Sequence, residues 1–320
     1  MSATTTTTEV LAGLDLSGMH ALVTGAGAGL GRETARALAA AGARVTLAGR
    51  DVAALEQVAA AIGSATGNDR LDCLEVDLAS LASVRRAAGR FLAMHDTLST
   101  LINNAGVMAC PLAWSEDGHE SQFAVCHLGH FLLTCLLVPR LLASAPARVV
   151  NLSSAGHKIS PVHFEDIDFR HRPYDKWAAY GQAKTANVLF SVALQRRLGA
   201  MGVTANAVHP GAIRETRLGR HLTPEDYRQL AVQSSPAGGA FSFRSLEAGA
   251  ATTVWAATTP RLALEGGLYL ENCGIGEPND EPVAGEGGYR RWARDEEAAE
   301  RLWRVSEEMV GQRFDWGDDA

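Results

Sequence analysis

Residues 21–42 read ALVTGAGAGLGRETARALAAAG, and the order of apolar, glycine-rich and helical segments in this stretch decides the fold. A short apolar strand at 21–23 runs into four glycines between positions 25 and 31, and a helical pattern follows over 30–41. Glycines let the backbone approach a pyrophosphate closely, and a helix N-terminus presents free N–H groups to an anion. The stretch predicts a nucleotide-binding turn; the alternative is a glycine-rich turn without a ligand.

The same alternation continues along the chain and predicts the fold class. Further strands are predicted at 44–48, 71–76, 100–102, 148–152, 203–208 and 267–270, with helical patterns between them. Strands that alternate with helices form parallel sheets covered on both faces, and right-handed crossovers make such sheets doubly wound. We therefore expect an α/β protein with a Rossmann-type, doubly wound, mostly parallel sheet of seven strands and helices on both faces.

The chain is expected to form a single domain, because no linker rich in Pro, Gly or Ser divides it and no internal repeat is visible. We assign this domain to 15–312, with a disordered lead-in at 1–14 and an acidic tail at 313–320. Residues 214–245 interrupt the alternation with a polar stretch that follows a strand. Because ligands of open α/β sheets bind beyond the carboxyl ends of the strands, this stretch is a candidate substrate lid.

Composition excludes several classes of protein. The chain of 320 residues carries 29 basic and 36 acidic side chains, and its net charge of −7 argues against a nucleic-acid binder or a protein of anionic membranes. No apolar run reaches the roughly 18 residues that a membrane helix needs, so no membrane span is predicted. The five cysteines are odd in number and form no CxxC pair, which predicts reduced thiols, a cytoplasmic protein and no zinc site.

The end of the second strand bears on the choice between NAD and NADP. A carboxylate there binds the ribose 2′-hydroxyl, whereas an arginine accommodates a 2′-phosphate. Gly49 stands where the carboxylate is expected, Arg50 follows it, and Arg32 lies nearby at the start of the first helix. Two guanidinium groups suit a phosphate dianion, so we predict NADP(H). NAD(H) stays open as an alternative, because Asp51 could itself bind the ribose.

Tyr180 and Lys184 are four residues apart on a predicted helix and therefore share one face of it. A neighbouring ammonium lowers the pKa of a phenol by about 1–3 units, so such a pair can exchange a proton with an alcohol or carbonyl oxygen. The alternative is an ordinary surface pair. Only three of the 29 basic residues are lysine, the other two being Lys158 and Lys176. Ser154 follows a predicted strand, where its hydroxyl could bind a reacting oxygen or cap a turn.

These features together resemble the classical short-chain dehydrogenase/reductase family. The glycine turn fits the pattern TGxxxGxG, and NNAG at 103–106 and HPG at 209–211 extend the resemblance over nearly the whole chain. The segment HLGHF at 127–131 resembles the retinol-dehydrogenase-like branch of the family, and residues 267–273 are similar to its bacterial members.

The resemblance implies a role for each candidate site residue. Tyr180 would be the catalytic acid and base, Lys184 would lower its pKa and hold the nicotinamide ribose, and Ser154 would polarise and bind the substrate oxygen. Together with Arg50, the predicted cofactor-binding residues are Thr24, Gly25, Gly29, Leu30, Gly31, Asp77, Asn104, Ala105, Gly106, Tyr180, Lys184, Pro210 and Gly211.

One residue departs from the family pattern. The family has an asparagine immediately before the HLGHF segment, where it holds a water in a proton relay behind the lysine, and this chain has Cys126. A thiol replaces neither the acceptor nor the donors of an amide well, so we expect a slowed or re-routed relay.

His127 and His130 could suggest a metal site, but no third ligand stands at a suitable spacing and no metal is predicted.

The sequence therefore predicts an NAD(P)-dependent alcohol dehydrogenase or carbonyl reductase, with NADP(H) preferred, that acts on a small alcohol, aldehyde or ketone. The branch resemblance implies a lipophilic substrate, whose pocket the insert at 157–177 and the lid would shape. Cys126 favours a second hypothesis, a catalytically impaired NADP-binding sensor or interaction protein. A nucleotide-sugar epimerase or dehydratase would have a TGxxGxxG loop, which Ala28 and Arg32 do not match. The substrate, the direction of reaction and any homo-oligomer stay open.

Overall fold

The computed structural model describes residues 1–228, 243–281 and 287–316, and its strands form one sheet. The strands are β1 His20–Thr24, β2 Arg44–Gly49, β3 Leu71–Glu75, β4 Thr100–Asn103, β5 Ala147–Leu152, β6 Val203–His209, β7 Tyr269–Glu271 and β8 Gly274–Ile275. They lie in the order β3-β2-β1-β4-β5-β6-β7-β8, and each neighbouring pair is parallel except β7 with β8. This is a doubly wound Rossmann-type sheet, so the predicted fold class is confirmed.

Helices cover both faces of the sheet. They are α1 Thr7–Leu11, α2 Gly29–Ala40, α3 Val52–Thr66, α4 Leu81–Met94, α5 Ser121–Ala143, α6 Lys176–Leu198, α7 Leu246–Thr258 and α8 Glu296–Val310. One face packs against α4, α5, α6 and α8 in a core that contains Phe131 and Trp303. The other packs against α1, α2, α3 and α7 around Leu38 and Trp255. Successive side chains of a strand point to opposite faces, so each central strand contributes to both cores.

The order of the strands determines where a ligand can bind. The chain proceeds from β1 outward to β2 and β3 and then returns to β4 on the other side of β1. The connections after β1 and β4 therefore run in opposite directions and leave a crevice at the carboxyl ends of these strands. Thr24 ends β1 and Asn103 ends β4, which places the glycine turn and the NNAG segment side by side.

The sheet has eight strands where the sequence predicts seven. β8 has only two residues, and it pairs antiparallel with β7 through Leu270 with Ile275 and Glu271 with Gly274. A strand this short leaves no alternation of apolar and polar residues for the sequence to indicate. β7 begins at 269 and not at the predicted 267, since Gly267 has a φ of +72°, outside the extended region.

The lead-in that the sequence predicts to be disordered contains α1. Thr6 and Glu9 cap the first turn of α1 reciprocally, side chain to backbone in both directions. The Thr7 hydroxyl donates to the Glu33 carboxylate of α2 over 2.6 Å. The apolar side of α1 joins the core beside α2 and α7. Capping and burial therefore order this segment, and the expectation of disorder over 1–14 is wrong for α1.

The predicted acidic tail at 313–320 begins with packed aromatic residues. The rings of Phe314 and Trp316 stack with their centres 5.9 Å apart, and both pack against the core that contains Phe131. Residues 317–320, which carry the acidic end, lie outside the described residues.

Two helices continue past residues that commonly end a helix, a glycine and a proline. α3 continues through Gly63 to Thr66, and Gly67 caps it in the left-handed conformation with a φ of +72°. α5 continues through Pro139 to 143, because the helix is buried on nearly all sides by core contacts. α5 begins at 121, where the Glu120 carboxylate accepts the first free N–H groups of the helix.

Among the described helices, α5 is long and apolar enough to cross a membrane. Its most apolar 18-residue window has a mean hydropathy of 1.6, and 72% of that window is buried inside the fold. α5 therefore serves as the central core helix on its face of the sheet.

Candidate active site

A cavity of about 1000 Å³ opens at the carboxyl ends of the parallel strands. The described residues place nearly the whole predicted site around it. The predicted residues that line it are Gly25, Gly29, Leu30, Gly31, Arg50, Asp77, Asn104, Ala105, Gly106, Ser154, Tyr180, Lys184, Pro210 and Gly211. Thr24 is the exception, because it is fully buried beneath the turn and supports the lining from behind.

The turn between β1 and α2 is shaped to hold an anion. Gly25 and Gly29 have φ values of +68° and +55°, which L side chains rarely adopt. A Cβ at Gly31 would overlap the Gly25 carbonyl oxygen and the Asn104 side-chain amide, so the turn closes only with glycine there. No side chain caps α2 at Ala28, which leaves the N–H groups of its first turn available to a ligand. These features fit the pyrophosphate of a dinucleotide.

The other end of the cavity contains Arg50 and Asp51 but not Arg32. Arg50 and Asp51 line the cavity beside Gly49, whereas Arg32 is exposed and does not contribute to the lining. The Asp51 carboxylate accepts the Ala54 N–H of α3 over 3.0 Å and is partly committed to capping that helix. The predicted pair of guanidinium groups is thus reduced to one, that of Arg50.

Tyr180, Lys184 and Ser154 meet at the carboxyl end of β5. Tyr180 and Lys184 lie on successive turns of α6, and each is only 4% exposed. The Ser154 hydroxyl accepts the Gly156 N–H over 3.0 Å, so it caps a turn, and it lies near enough to the Tyr180 phenol to affect the pKa of that group. The Lys184 ammonium donates to the Leu152 carbonyl over 2.9 Å and lies 5.7 Å from the centre of the Tyr180 ring.

Burial has the largest effect on the pKa values of Tyr180 and Lys184. Burial raises the pKa of Tyr180 above its usual value, and the neighbouring Ser154 hydroxyl opposes the rise without cancelling it. Burial also lowers the pKa of Lys184. The ammonium does not contact the phenol, so the predicted lowering of the Tyr180 pKa by Lys184 is not seen here. The phenol therefore holds its proton at neutral pH.

His209 organises the loops on both sides of Ser154, a role that the sequence does not indicate. Burial lowers the pKa of His209 to about 3, so its imidazole is neutral. Its Nδ1 accepts the Ala155 N–H over 3.2 Å and the Gly211 N–H over 3.4 Å. One ring nitrogen thereby ties the turn after β5 to the loop after β6. The motif HPG at 209–211 marks the position, but only the fold shows which backbone groups the ring reaches.

Cys126 lies in a π-helical turn of α5, Ala124–Leu128, and is fully buried. Its thiol points to the Val107 carbonyl, with Sγ 3.5 Å from the oxygen. A Cβ at Gly106 would lie 3.6 Å from both Cys126 Sγ and Lys184 Nζ. The thiol therefore lies behind the cavity wall close to the lysine, as the resemblance implies for the asparagine that it replaces.

The described part of the predicted lid borders the cavity. Leu218, Leu222 and Tyr227 line it from the lid, and Ile159 and Trp177 line it from the insert at 157–177. Residues 229–242 of the lid lie outside the described residues. Sequence reasoning missed Arg244, which follows them and lines the cavity beside Gly211, because no motif or spacing marks it.

The two histidines of the HLGHF segment are held by hydrogen bonds. His127 Nε2 lies 2.8 Å from the Ser306 hydroxyl of α8, and His130 Nε2 lies 2.8 Å from the Thr24 hydroxyl. A separate group of possible ligands, His20, Asp72 and His95, lies at the amino ends of the strands, away from the cavity. There Arg44 donates to the Asp72 carboxylate over 2.8 Å and neutralises its charge.

Comparisons with known proteins agree with this arrangement. A model of the short chain dehydrogenase family matches residues 19–226. The chain is 41% identical over 298 residues to human retinol dehydrogenase 13, covering 92% of the chain and 86% of that protein. It is 41% identical over 308 residues to mouse (Mus musculus) retinol dehydrogenase 12, covering 94% and 89%.

Solved structures agree with the match to the short chain dehydrogenase family. A crystal structure of a protein from Mycobacterium paratuberculosis matches with a TM-score of 0.72 and 33% identity over 99% of both chains. RhlG from Pseudomonas aeruginosa, solved as an active-site complex with NADP, matches with a TM-score of 0.63 and 28% identity over 80% of this chain and 95% of that one. These comparisons lend no support to the alternative of a catalytically impaired NADP-binding sensor or interaction protein.

Proposed function

The chain belongs to the short-chain dehydrogenase/reductase family, and from this premise we propose that it is an NADP(H)-dependent alcohol dehydrogenase or carbonyl reductase. The observation that carries the proposal is the meeting of Tyr180, Ser154 and Lys184 in one cavity with the glycine turn. The Tyr180 phenol can act as an acid and lies beside the Ser154 hydroxyl. The glycine turn, which can bind an anion, lies in the same crevice.

The proposed chemistry assigns a distinct task to each side chain. A bound nicotinamide supplies or accepts the hydride. Tyr180 gives its proton to the carbonyl oxygen during reduction and takes it back during oxidation, because burial keeps the phenol protonated at neutral pH. Ser154 holds the same oxygen beside the phenol. Lys184, whose ammonium the Leu152 carbonyl holds at the cavity wall, would bind the nicotinamide ribose.

The preference for NADP(H) rests on Arg50. It is the exposed cation at the cavity end beside Gly49, where a 2′-phosphate would lie. Asp51, the residue that would favour NAD, is partly engaged in capping α3. The structural neighbour RhlG is described as a complex with NADP, which supports the same choice.

We also propose a lipophilic alcohol, aldehyde or ketone as the substrate. Apolar side chains of the insert, the lid and the loop after β4 border the cavity: Met108, Ile159, Trp177, Leu218 and Leu222. Such a lining favours an apolar body with one polar group held at Tyr180. Relatives named retinol dehydrogenase act, by that name, on a lipophilic alcohol, which agrees with this assignment.

Consumption of NADPH with a panel of aliphatic and aromatic aldehydes and ketones tests the proposal. We expect turnover with apolar carbonyl compounds and its loss in Tyr180→Phe, while NADPH still binds as measured by calorimetry. Tyr174→Phe is the matched control, since its hydroxyl bonds the Cys110 carbonyl outside the cavity lining. Turnover that survives in Tyr180→Phe, or a wild-type protein that binds no NADPH, would contradict the proposal.

A cytoplasmic location is proposed as well. All five cysteines are free thiols, and four of them are buried: Cys110, Cys126, Cys135 and Cys273. Free buried thiols are typical of a reducing compartment. Fractionation of cells that produce the protein checks this, and recovery of the protein outside the cytoplasm would contradict it.

A further inference from the structure

We propose that His130 is a positioning residue whose two ring nitrogens serve two different parts of the site. Through Nε2 it holds the glycine turn for cofactor binding, and through Nδ1 it holds the π-helical turn of α5 behind Lys184. This inference rests on the proposed function, because its consequences are expressed in nicotinamide binding and turnover.

The protonation of the His130 ring follows from its partners. The ring is 2% exposed, and burial lowers its pKa to about 4, against a raising effect of the bond to the Cys126 carbonyl. The imidazole is therefore neutral at pH 7 and carries one N–H. Nδ1 lies 3.0 Å from the Cys126 carbonyl oxygen, which can only accept, so the proton is on Nδ1. Nε2 must then accept from the Thr24 hydroxyl 2.8 Å away.

The Thr24 hydroxyl links this ring to the cofactor end of the cavity. Its oxygen accepts the Asn104 N–H over 2.9 Å and the Ala105 N–H over 3.0 Å, while its proton goes to His130 at 2.8 Å in preference to the Ile102 carbonyl at 3.4 Å. One donor and two acceptor sites are thus all used, which fixes the hydroxyl in a single orientation. Gly25 follows Thr24, and a Cβ on it would lie 3.0 Å from the Ala105 Cα. A small rotation of Thr24 therefore disturbs the glycine turn and the NNAG segment together.

The other nitrogen acts on the catalytic side. The π-helical turn interrupts the regular i to i+4 ladder of α5, and the Cys126 carbonyl lies within this turn. His130 donates to this carbonyl from one turn further along the helix. Because the Cys126 thiol lies beside Lys184 and the Gly106 backbone, a shift of this turn alters the surroundings of the lysine. Nδ1 should therefore influence turnover more than cofactor affinity.

Two amide substitutions separate the two contacts. The amide nitrogen of asparagine occupies the place of Nδ1, so His130→Asn keeps the donor to Cys126 and loses the bond to Thr24. The amide oxygen of glutamine reaches the place of Nε2, so His130→Gln keeps an acceptor for Thr24 and loses the bond to Cys126. Each substitution thus removes one hydrogen bond and retains the other.

The expected results differ in kind between the two variants. Loss of one buried hydrogen bond should change the affected constant by about tenfold. We expect His130→Asn to raise the Kd for NADPH, measured by calorimetry, while kcat at saturating NADPH stays close to the wild type. We expect His130→Gln to keep the wild-type Kd and to lower kcat. Thr24→Val removes the first bond from the other side and should repeat the His130→Asn pattern.

The adjacent His127 provides the control. Its ring is equally buried and bonds Ser306 of α8 without touching the turn after β1. His127→Asn and His127→Gln should lower thermal stability without separating Kd from kcat. Equal changes of Kd and kcat in both His130 variants, in proportion to lost stability, would overturn the inference. A wild-type protein that does not bind NADPH would instead refute the proposed function.

Discussion

Lys176 and Asp226 form a bidentate ion pair, with Nζ 2.6 and 2.7 Å from the two carboxylate oxygens. Lys176 is the first residue of α6, four positions before Tyr180. Asp226 lies in the lid, where its carboxylate also accepts the N–H and hydroxyl of Thr223, and the neighbouring Leu222 lines the cavity. The pair therefore fastens the described part of the lid to the helix that carries the proposed catalytic tyrosine.

Removing the charge of Asp226 should loosen the lid. We expect Asp226→Asn to destabilise the protein by about 1–2 kcal/mol at pH 7 and to raise KM for the carbonyl substrate more than it lowers kcat. Denaturant unfolding and steady-state kinetics measure the two effects. Glu225→Gln is the control, because the ion pair of Glu225 with Arg228 is largely exposed and should contribute little. Equal KM values in wild type and Asp226→Asn would contradict a role in holding the lid.

The same pair predicts a pH dependence. The bond from Lys176, with help from the Thr223 N–H, lowers the pKa of Asp226 to about 2. The folded pKa is below that of an unfolded carboxyl, near ~3.9, so the stabilisation is complete above that value and is lost as the pH falls through about 2. The stability difference between wild type and Asp226→Asn should therefore shrink between pH 5 and pH 2. A difference that does not change over this range would contradict the assigned ion pair.

Gly156 is required by the position of the Tyr180 ring. A Cβ on Gly156 would lie 2.7 Å from the Tyr180 Cε1 and 2.9 Å from its Cδ1, so one of the two must move. We expect Gly156→Ala to lower kcat by about 10- to 100-fold, because a displacement of about 1 Å at a reacting group has effects of that size. The helical Gly89, which has nothing within 4 Å of an added Cβ, is the control. Gly89→Ala should stabilise the fold by about 0.5–1 kcal/mol without changing kcat.

Arg50 and Arg32 should differ in their effect on cofactor choice. Of these two arginines only Arg50 lines the cavity. Arg50→Ala should therefore weaken NADPH binding by about 10- to 100-fold, the contribution of a charge-assisted hydrogen bond, and leave NADH binding nearly unchanged. Arg32→Ala should change neither Kd by more than about twofold, since exposed charges outside a site contribute little. Calorimetric titration with both dinucleotides checks this. Equal losses for NADPH and NADH in Arg50→Ala would exclude a phosphate-binding role.

The elements whose apolar residues follow a regular period could be predicted from the sequence. The strands β1 to β6 and the site at their carboxyl ends follow from apolar segments, glycine positions and helical spacing. β8 and the capped helix α1 could not be predicted in this way. A strand of two residues and a helix of five residues are too short to show a periodic pattern. Long-range packing decided these elements, through the pairing with β7 and the contact of Thr7 with Glu33.

The residues of the site could be predicted from the sequence, but the hydrogen-bond partners of these residues could not. The pattern of Tyr180 with Lys184 indicates a shared helix face, yet the ammonium bonds the Leu152 carbonyl and stays away from the phenol. The scarcity of lysine singles out three positions, and the structure gives each a partner near the cavity. Lys158 donates to the Gly287 carbonyl and Lys176 pairs with Asp226. Such partners lie many residues apart, so spacing alone does not reveal them.

Cys126 allows a direct test of the departure from the family pattern. Its thiol makes one weak contact, at 3.5 Å from the Val107 carbonyl, and lies beside the ammonium of Lys184. An asparagine amide offers a donor for the carbonyl and an acceptor for the ammonium. We therefore expect Cys126→Asn to raise kcat, by about three- to tenfold if a proton relay behind Lys184 limits turnover.

Space and chemistry must be separated in this test, because the site is fully buried and an amide is larger than a thiol. Cys126→Ala removes the thiol without adding an amide, and it should leave kcat unchanged or lower it slightly. Cys135→Ala, at a buried core position elsewhere on α5, should affect only stability. Thermal unfolding of all three variants shows whether packing is disturbed. If Cys126→Asn folds normally and its kcat is unchanged or lower, the missing amide does not limit this enzyme.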